Sequence, residues 1–142
     1  MLIFIDNQTK LKVPKKLLKK IIRSVTDKKL ELIICDNDYI EELNRNYRGV
    51  DKTTDVLSFP LVREVHFTQS IGSIIISEDY IRDGARKFKH RKRDELTLLF
   101  IHGILHLLGY DHETDKGEMR DMEKSIIRKF KLPDSLIVRT GN

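Results

Sequence analysis

Three histidines stand close together toward the carboxyl end of the chain, in the segment His102-Gly103-Ile104-Leu105-His106-Leu107-Leu108-Gly109-Tyr110-Asp111-His112. His102 and His106 are one helical turn apart, so on a helix both imidazoles leave the same face and can meet one cation at roughly 2.0–2.1 Å per nitrogen. Gly109 lies three residues beyond His106, and a glycine can take the left-handed backbone that ends a helix and turns the chain. Such a turn would bring His112 back to the same point. Three imidazoles around a tetrahedral zinc retain a fourth position for water, which distinguishes catalytic from closed structural sites. The spacing predicts His102, His106 and His112 as ligands of one Zn2+ ion. His66 and His90 have polar or basic neighbours and no partner at ligand spacing, so both are expected to be ordinary surface histidines.

The pattern H-x-x-x-H-x-x-G-x-x-H is shared with the metzincin peptidases, with one difference: the catalytic glutamate that follows their first histidine is Gly103 here. Metal coordination lowers the pKa of water to about 7, so hydrolysis stays open if another group or the substrate accepts the proton. Asp111 and Glu113 are near in sequence and are candidates. A second constellation lies upstream, Asn44-x-x-Tyr47-Arg48-Gly49-x-Asp51-x-x-Thr54-Asp55-Val56-Leu57-Ser58-Phe59-Pro60. Arg48 beside a glycine can clamp a phosphate bidentately, with Thr54 and Ser58 as further donors; an ion pair between Arg48 and Asp51 that stiffens the loop is the other reading.

The elements that must position these groups follow from periodicity. Residues 2–6 form an apolar strand, and Leu17, Leu18, Ile21, Ile22 and Val25 repeat at helical spacing behind Pro14, predicting a helix over 14–26. Its outer face carries Lys15, Lys16, Lys19, Lys20 and Arg23, expected to be a solvated face. Leu30 to Cys35 reads as a second strand, followed by a short helix that begins at Asp36-Asn37-Asp38 and stops near Gly49. Val56 to Phe59 and Ile71 to Ile76 are further strands, and Ser77 starts a helix to about Lys89. Leu96 to Leu108 is apolar on all sides and predicts a helix at the centre of the domain, too short to span a membrane. A last helix over 115–131 ends at Pro133. The order predicts one α/β (α+β) domain over 1–142, with a small mixed four-stranded sheet packed with about five helices.

Length and composition agree. A chain of 142 residues fits one domain, and 39% hydrophobic with 35% charged residues excludes wholesale disorder. Cys35 is the sole cysteine, which excludes an internal disulfide framework and a cysteine-rich zinc finger and suggests a reducing compartment. The amino terminus lacks the charge and apolar run of a secretory signal, so an intracellular protein is expected. Lys plus Arg at 27 against Asp plus Glu at 22 gives a formal charge of +5, which favours polyanionic partners without naming one.

Taken together, the two constellations resemble the YbeY family, bacterial endoribonucleases of ribosomal RNA maturation, whose pattern joins R-G-x-D-x-x-T-D-V-L-S-F-P to H-G-x-L-H-L-x-G-Y-D-H. The resemblance runs from about Leu43 to Glu123. It implies the family's α/β metalloprotein fold, zinc ligation by His102, His106 and His112, and a catalytic supporting role for Arg48. It also implies single-stranded ribosomal RNA as substrate, a role in ribosome quality control, association with the small ribosomal subunit and its proteins, and a cytoplasmic location without membrane contact. Where family members often carry G-D-I, this chain has Gly72-Ser73-Ile74, which puts an anionic contact there in question. Two rivals remain: a ribosome-assembly binding factor with a structural zinc, and a metzincin-like metal-dependent peptidase.

Overall fold

A computed structural model describes residues 3–48, 56–59, 70–111 and 113–140. The elements follow in the order β1 (Ile3–Asn7), α1 (Lys15–Val25), β2 (Lys29–Cys35), α2 (Asn37–Arg48), β3 (Val56–Phe59), β4 (Ser70–Ser77), α3 (Glu78–Lys87), α4 (Lys92–Leu107), α5 (Glu118–Lys129) and α6 (Asp134–Thr140). The sheet runs β1-β2-β4-β3. β1, β2 and β4 are parallel, with Ile5 opposite Leu32 and Leu32 opposite Ile74, while β3 pairs antiparallel with β4, Phe59 opposite Ser73.

Alternation along the central strands assigns the two faces. Leu30, Leu32 and Ile34 of β2 and Ile74 and Ile76 of β4 point into the larger core, which they share with Leu18, Ile21 and Ile22 of α1 and with α4. Ile33, Cys35 and Ile75 point the other way and meet Ile40 and Leu43 of α2. Covered on both sides, β2 is buried from Leu30 to Cys35 and apolar there except at Glu31, as parallel strands flanked by helices tend to be. Cys35 belongs to this interior, where burial, with Asp36, Asp6 and Asp79 nearby, pushes its thiol up to about 12.

α4 lies where its all-round apolar sequence predicts, with every residue from Asp94 to Ile101 buried. Phe100, with no exposed surface, is among the largest side chains in the core, and such burial is worth roughly 1.5–3 kcal/mol. Among the described residues six helices are present, one more than expected. The addition is α6, and Pro133, which the sequence reading took only as a stop, is also a helix start: Leu136 N–H donates to Pro133 O at 3.0 Å.

His90 is likewise not a surface residue. Its side chain is 2% exposed, its Nε2 lies 2.7 Å from Oε1 of the equally buried Glu95, and its Nδ1 lies 3.3 Å from Ser135 Oγ. The basic neighbours that suggested exposure face outward at the α3–α4 corner, while the ring turns in toward the first turn of α4 and the start of α6. His66 lies outside the described residues.

Candidate metal centre

α4 presents His102 and His106 from one face, as their spacing requires. Their Nε2 atoms are 3.0 Å apart and the rings meet edge to face, with centroids separated by 4.5 Å. His102 is part-exposed, at 28% of its side chain, at the rim of an otherwise buried helix. From α5, Glu123 reaches across so that its Oε1 lies 3.0 Å from His102 Nδ1. A carboxylate can only accept there, so the His102 proton resides on Nδ1 and the Nε2 lone pair faces His106. An acidic partner holding the far nitrogen of an imidazole is the usual support for a metal-ligating histidine.

The donor set suits zinc. Two nitrogens bound at roughly 2.0–2.1 Å around a tetrahedral ion stand about 3.3 Å apart, close to the 3.0 Å between the two Nε2 atoms. Among the described residues no group of three His, Cys, Asp or Glu side chains forms a complete metal site. His112, the expected third ligand, lies outside the described residues.

The turn predicted at Gly109 is present. Gly109 has φ 101°. Its N–H donates to His106 O, and Tyr110 N–H donates to Leu105 O, each at 3.0 Å. This double bond pattern is the Schellman motif, and Tyr110 adds its apolar contact by packing on the core. α4 therefore ends at Leu107, one residue after its second histidine. Beyond it, Glu113 N–H donates to Asp111 Oδ1 at 3.0 Å, and the side chains of both Asp111 and Glu113 are exposed.

Gly103 has a positive structural reason. A Cβ built there would lie 2.9 Å from Ile74 Cγ2, so α4 rests on β4 through this residue and no side chain fits. A glutamate following the first histidine is sterically excluded, not merely absent. Arg48 closes α2, and its side chain, like the loop beyond it, lies outside the described residues.

Sequence reasoning missed Glu123. A signal was present: Glu123 follows Met119 by four residues and so occupies the apolar stripe of α5, where a carboxylate needs a partner. At Ser73 the hydroxyl donates to Glu31 Oε1 at 2.8 Å, with both residues buried on adjacent strands. At this place in the sheet the carboxylate is on β2 and the hydroxyl on β4.

Comparison with known proteins follows the same lines. The family model described as Endoribonuclease YbeY matches residues 4–131. A curated protein of that description from Sulfurovum sp. (strain NBC37-1) is 55% identical over 97% of both chains. Another from Aliarcobacter butzleri (strain RM4018) is 51% identical over 99% of this chain and 100% of its own, and one from Helicobacter pylori (strain G27) is 48% identical over 96% and 95%. The solution structure of TM1509 from Thermotoga maritima superposes with a TM-score of 0.60 at 33% identity, covering 90% of this chain and 88% of that one.

Proposed function

The chain belongs to the endoribonuclease YbeY family, and on that premise we propose that it hydrolyses phosphodiester bonds of single-stranded ribosomal RNA, with one zinc ion held by His102, His106 and His112. The observation that carries this reading is the facing pair of Nε2 atoms on α4, with Glu123 fixing the His102 proton at the opposite nitrogen. When bound there, zinc supplies Lewis acidity toward a phosphoryl oxygen and a water of lowered pKa.

The chain's own residues do the rest. Glu123 keeps the His102 ring from rotating and keeps its Nε2 lone pair outward. Arg48 supplies fixed positive charge against the phosphate, where negative charge accumulates during displacement. The basic segment 82–93 contributes strand contacts, though not with every residue: Arg82 is engaged with Asp79 at 2.6 Å and Arg91 with Asp94 at 3.0 Å. Arg86, Lys89 and Lys92 are exposed and available to phosphates. Such contacts position a strand without reading bases, so site selection falls to a partner, in this reading the small ribosomal subunit. The proposed role is in ribosomal RNA maturation and ribosome quality control, and the proposed location is the cytoplasm. No helix of the described residues is long and apolar enough to cross a membrane.

Gly103 weighs against the peptidase alternative, because the position of the peptidase base abuts Ile74. The test offers chelator-stripped and zinc-reloaded protein a single-stranded RNA and casein under the same conditions. Cleavage of RNA alone, restored by zinc and lost in His106→Ala, is expected. Equal RNA cleavage by stripped protein would refute the reading.

A further inference from the structure

On the far side of α4 from the histidines lies a concave, cationic surface. A pocket of about 380 Å³ is lined by Pro14, Lys15, Lys16, Leu17 and Lys20 of the α1 region and by Arg93 of α4. Nine residues, two and a half helical turns, separate Arg93 from His102, so their side chains leave α4 on opposite sides and about 14 Å apart along the axis. The pocket is therefore not an extension of the metal centre.

The charge here is one-signed. Between Asn7 and Thr26 the sequence holds seven lysines and arginines and no acid. Lys15, Lys16, Lys19, Lys20, Arg23 and Arg93 are all exposed. Arg82 and Arg91, by contrast, are each paired with a carboxylate three residues away, Asp79 and Asp94. The charge is also placed against local stability. α1 has no acidic residue in its first turn, and its N-cap, Pro14, makes no side-chain capping bond. Lysines at the positive end of a helix dipole are unfavourable unless an anion offsets them. Pro14 and Leu17 give the lining an apolar part that can meet a sugar, among cations that can meet the flanking phosphates.

We propose that this face, formed by α1 and the start of α4, is a second RNA-binding site that takes the phosphate backbone of a folded region outside the strand being cut. The inference rests on the nuclease reading for its choice of RNA over an acidic protein. Because the two sites face apart, a short single strand reaches only the metal centre, while a folded RNA engages both. Substrate preference for structured ribosomal RNA would then reside in this protein as well as in its partner.

The experiment compares wild type with a Lys15→Glu/Lys16→Glu variant on a short oligonucleotide and on a hairpin RNA carrying that oligonucleotide as a tail. Hairpin affinity at low salt is expected to fall about tenfold or more, and the slope of log K against log salt to flatten by about 1.5–2. Oligonucleotide cleavage should stay within about twofold, since local strand contacts are untouched. The unfolding midpoint should hold or rise, because glutamates suit the first turn of a helix. Loss of binding beside equal or better stability cannot come from misfolding. An unchanged hairpin affinity and slope would overturn the proposal, as would equal weakening for both RNAs. Unchanged RNA binding with lost binding to polyglutamate would assign the face to an acidic protein and overturn it too. If wild type cleaves neither RNA, the catalytic reading fails, while the binding comparison still decides this one.

Discussion

Glu123 of α5 stands 3.0 Å from Nδ1 of His102 on α4, a contact that ties the orientation of one imidazole to the packing of two helices. Replacing Glu123 by Gln removes the charge while keeping the shape. Zinc affinity, measured by competition with a chromophoric chelator, should fall about 10–100-fold. An unchanged affinity would mean that the His102 ring is held by something else.

Gly103→Ala brings a methyl group to within 2.9 Å of Ile74 Cγ2. Helix and strand must separate to admit it, and overpacking of this kind costs about 1–3 kcal/mol. Urea unfolding should show a lower midpoint with an unchanged slope. Should Gly103→Ala prove as stable as wild type, the close approach of α4 to β4 is not rigid.

Ser73→Asp would place an acid at a site where the Ser73 hydroxyl now donates to buried Glu31. Two carboxylates in that space repel, and one must remain protonated. Stability should drop by several kcal/mol at neutral pH, on the scale of about 3–5 kcal/mol for an uncompensated buried charge, and recover in part as pH falls. The companion change Glu31→Gln should relieve most of the loss, which a thermal melt of the double variant reads directly.

Cys35, its thiol pushed up to about 12 by burial and nearby carboxylates, should not react with a thiol reagent at pH 8 until the chain unfolds. Between pH 9 and 12 the unfolded chain has released this proton and the folded one has not. The group's contribution to stability is therefore fully present below pH 9 and declines above it, by about 1.4 kcal/mol per pH unit until the folded thiol ionises. Labelling kinetics against pH, with urea as the control, measures this.

Much of this architecture is written in short-range pattern. The nearly continuous apolar run of α4 predicts a central helix because few of its residues tolerate water, and the alternation of β2 and β4 assigns both faces of the sheet. The four-residue gap between His102 and His106 is equally local, and the structure brings the two rings together. What escaped depends on partners distant in the fold or on reading one residue twice. Glu123 matters only because α5 lies against α4. His90 sits among basic neighbours, yet its ring meets Glu95 beyond the corner and Ser135 on a later helix. Pro133 is expected as a stop, yet α5 closes earlier, through the left-handed Lys131, and Pro133 opens α6 instead.

The two imidazoles ride on a rod that the whole interior grips. Rotating α4 by one position would carry aromatic or aliphatic side chains into water, so the placement of the rings is inherited from the packing of the buried residues along the whole helix. The two facing nitrogens thus stand in place before any ion arrives. Unlike a small finger domain, which collapses when its metal is taken away, this scaffold should stand intact after chelation, silent but ready for reloading.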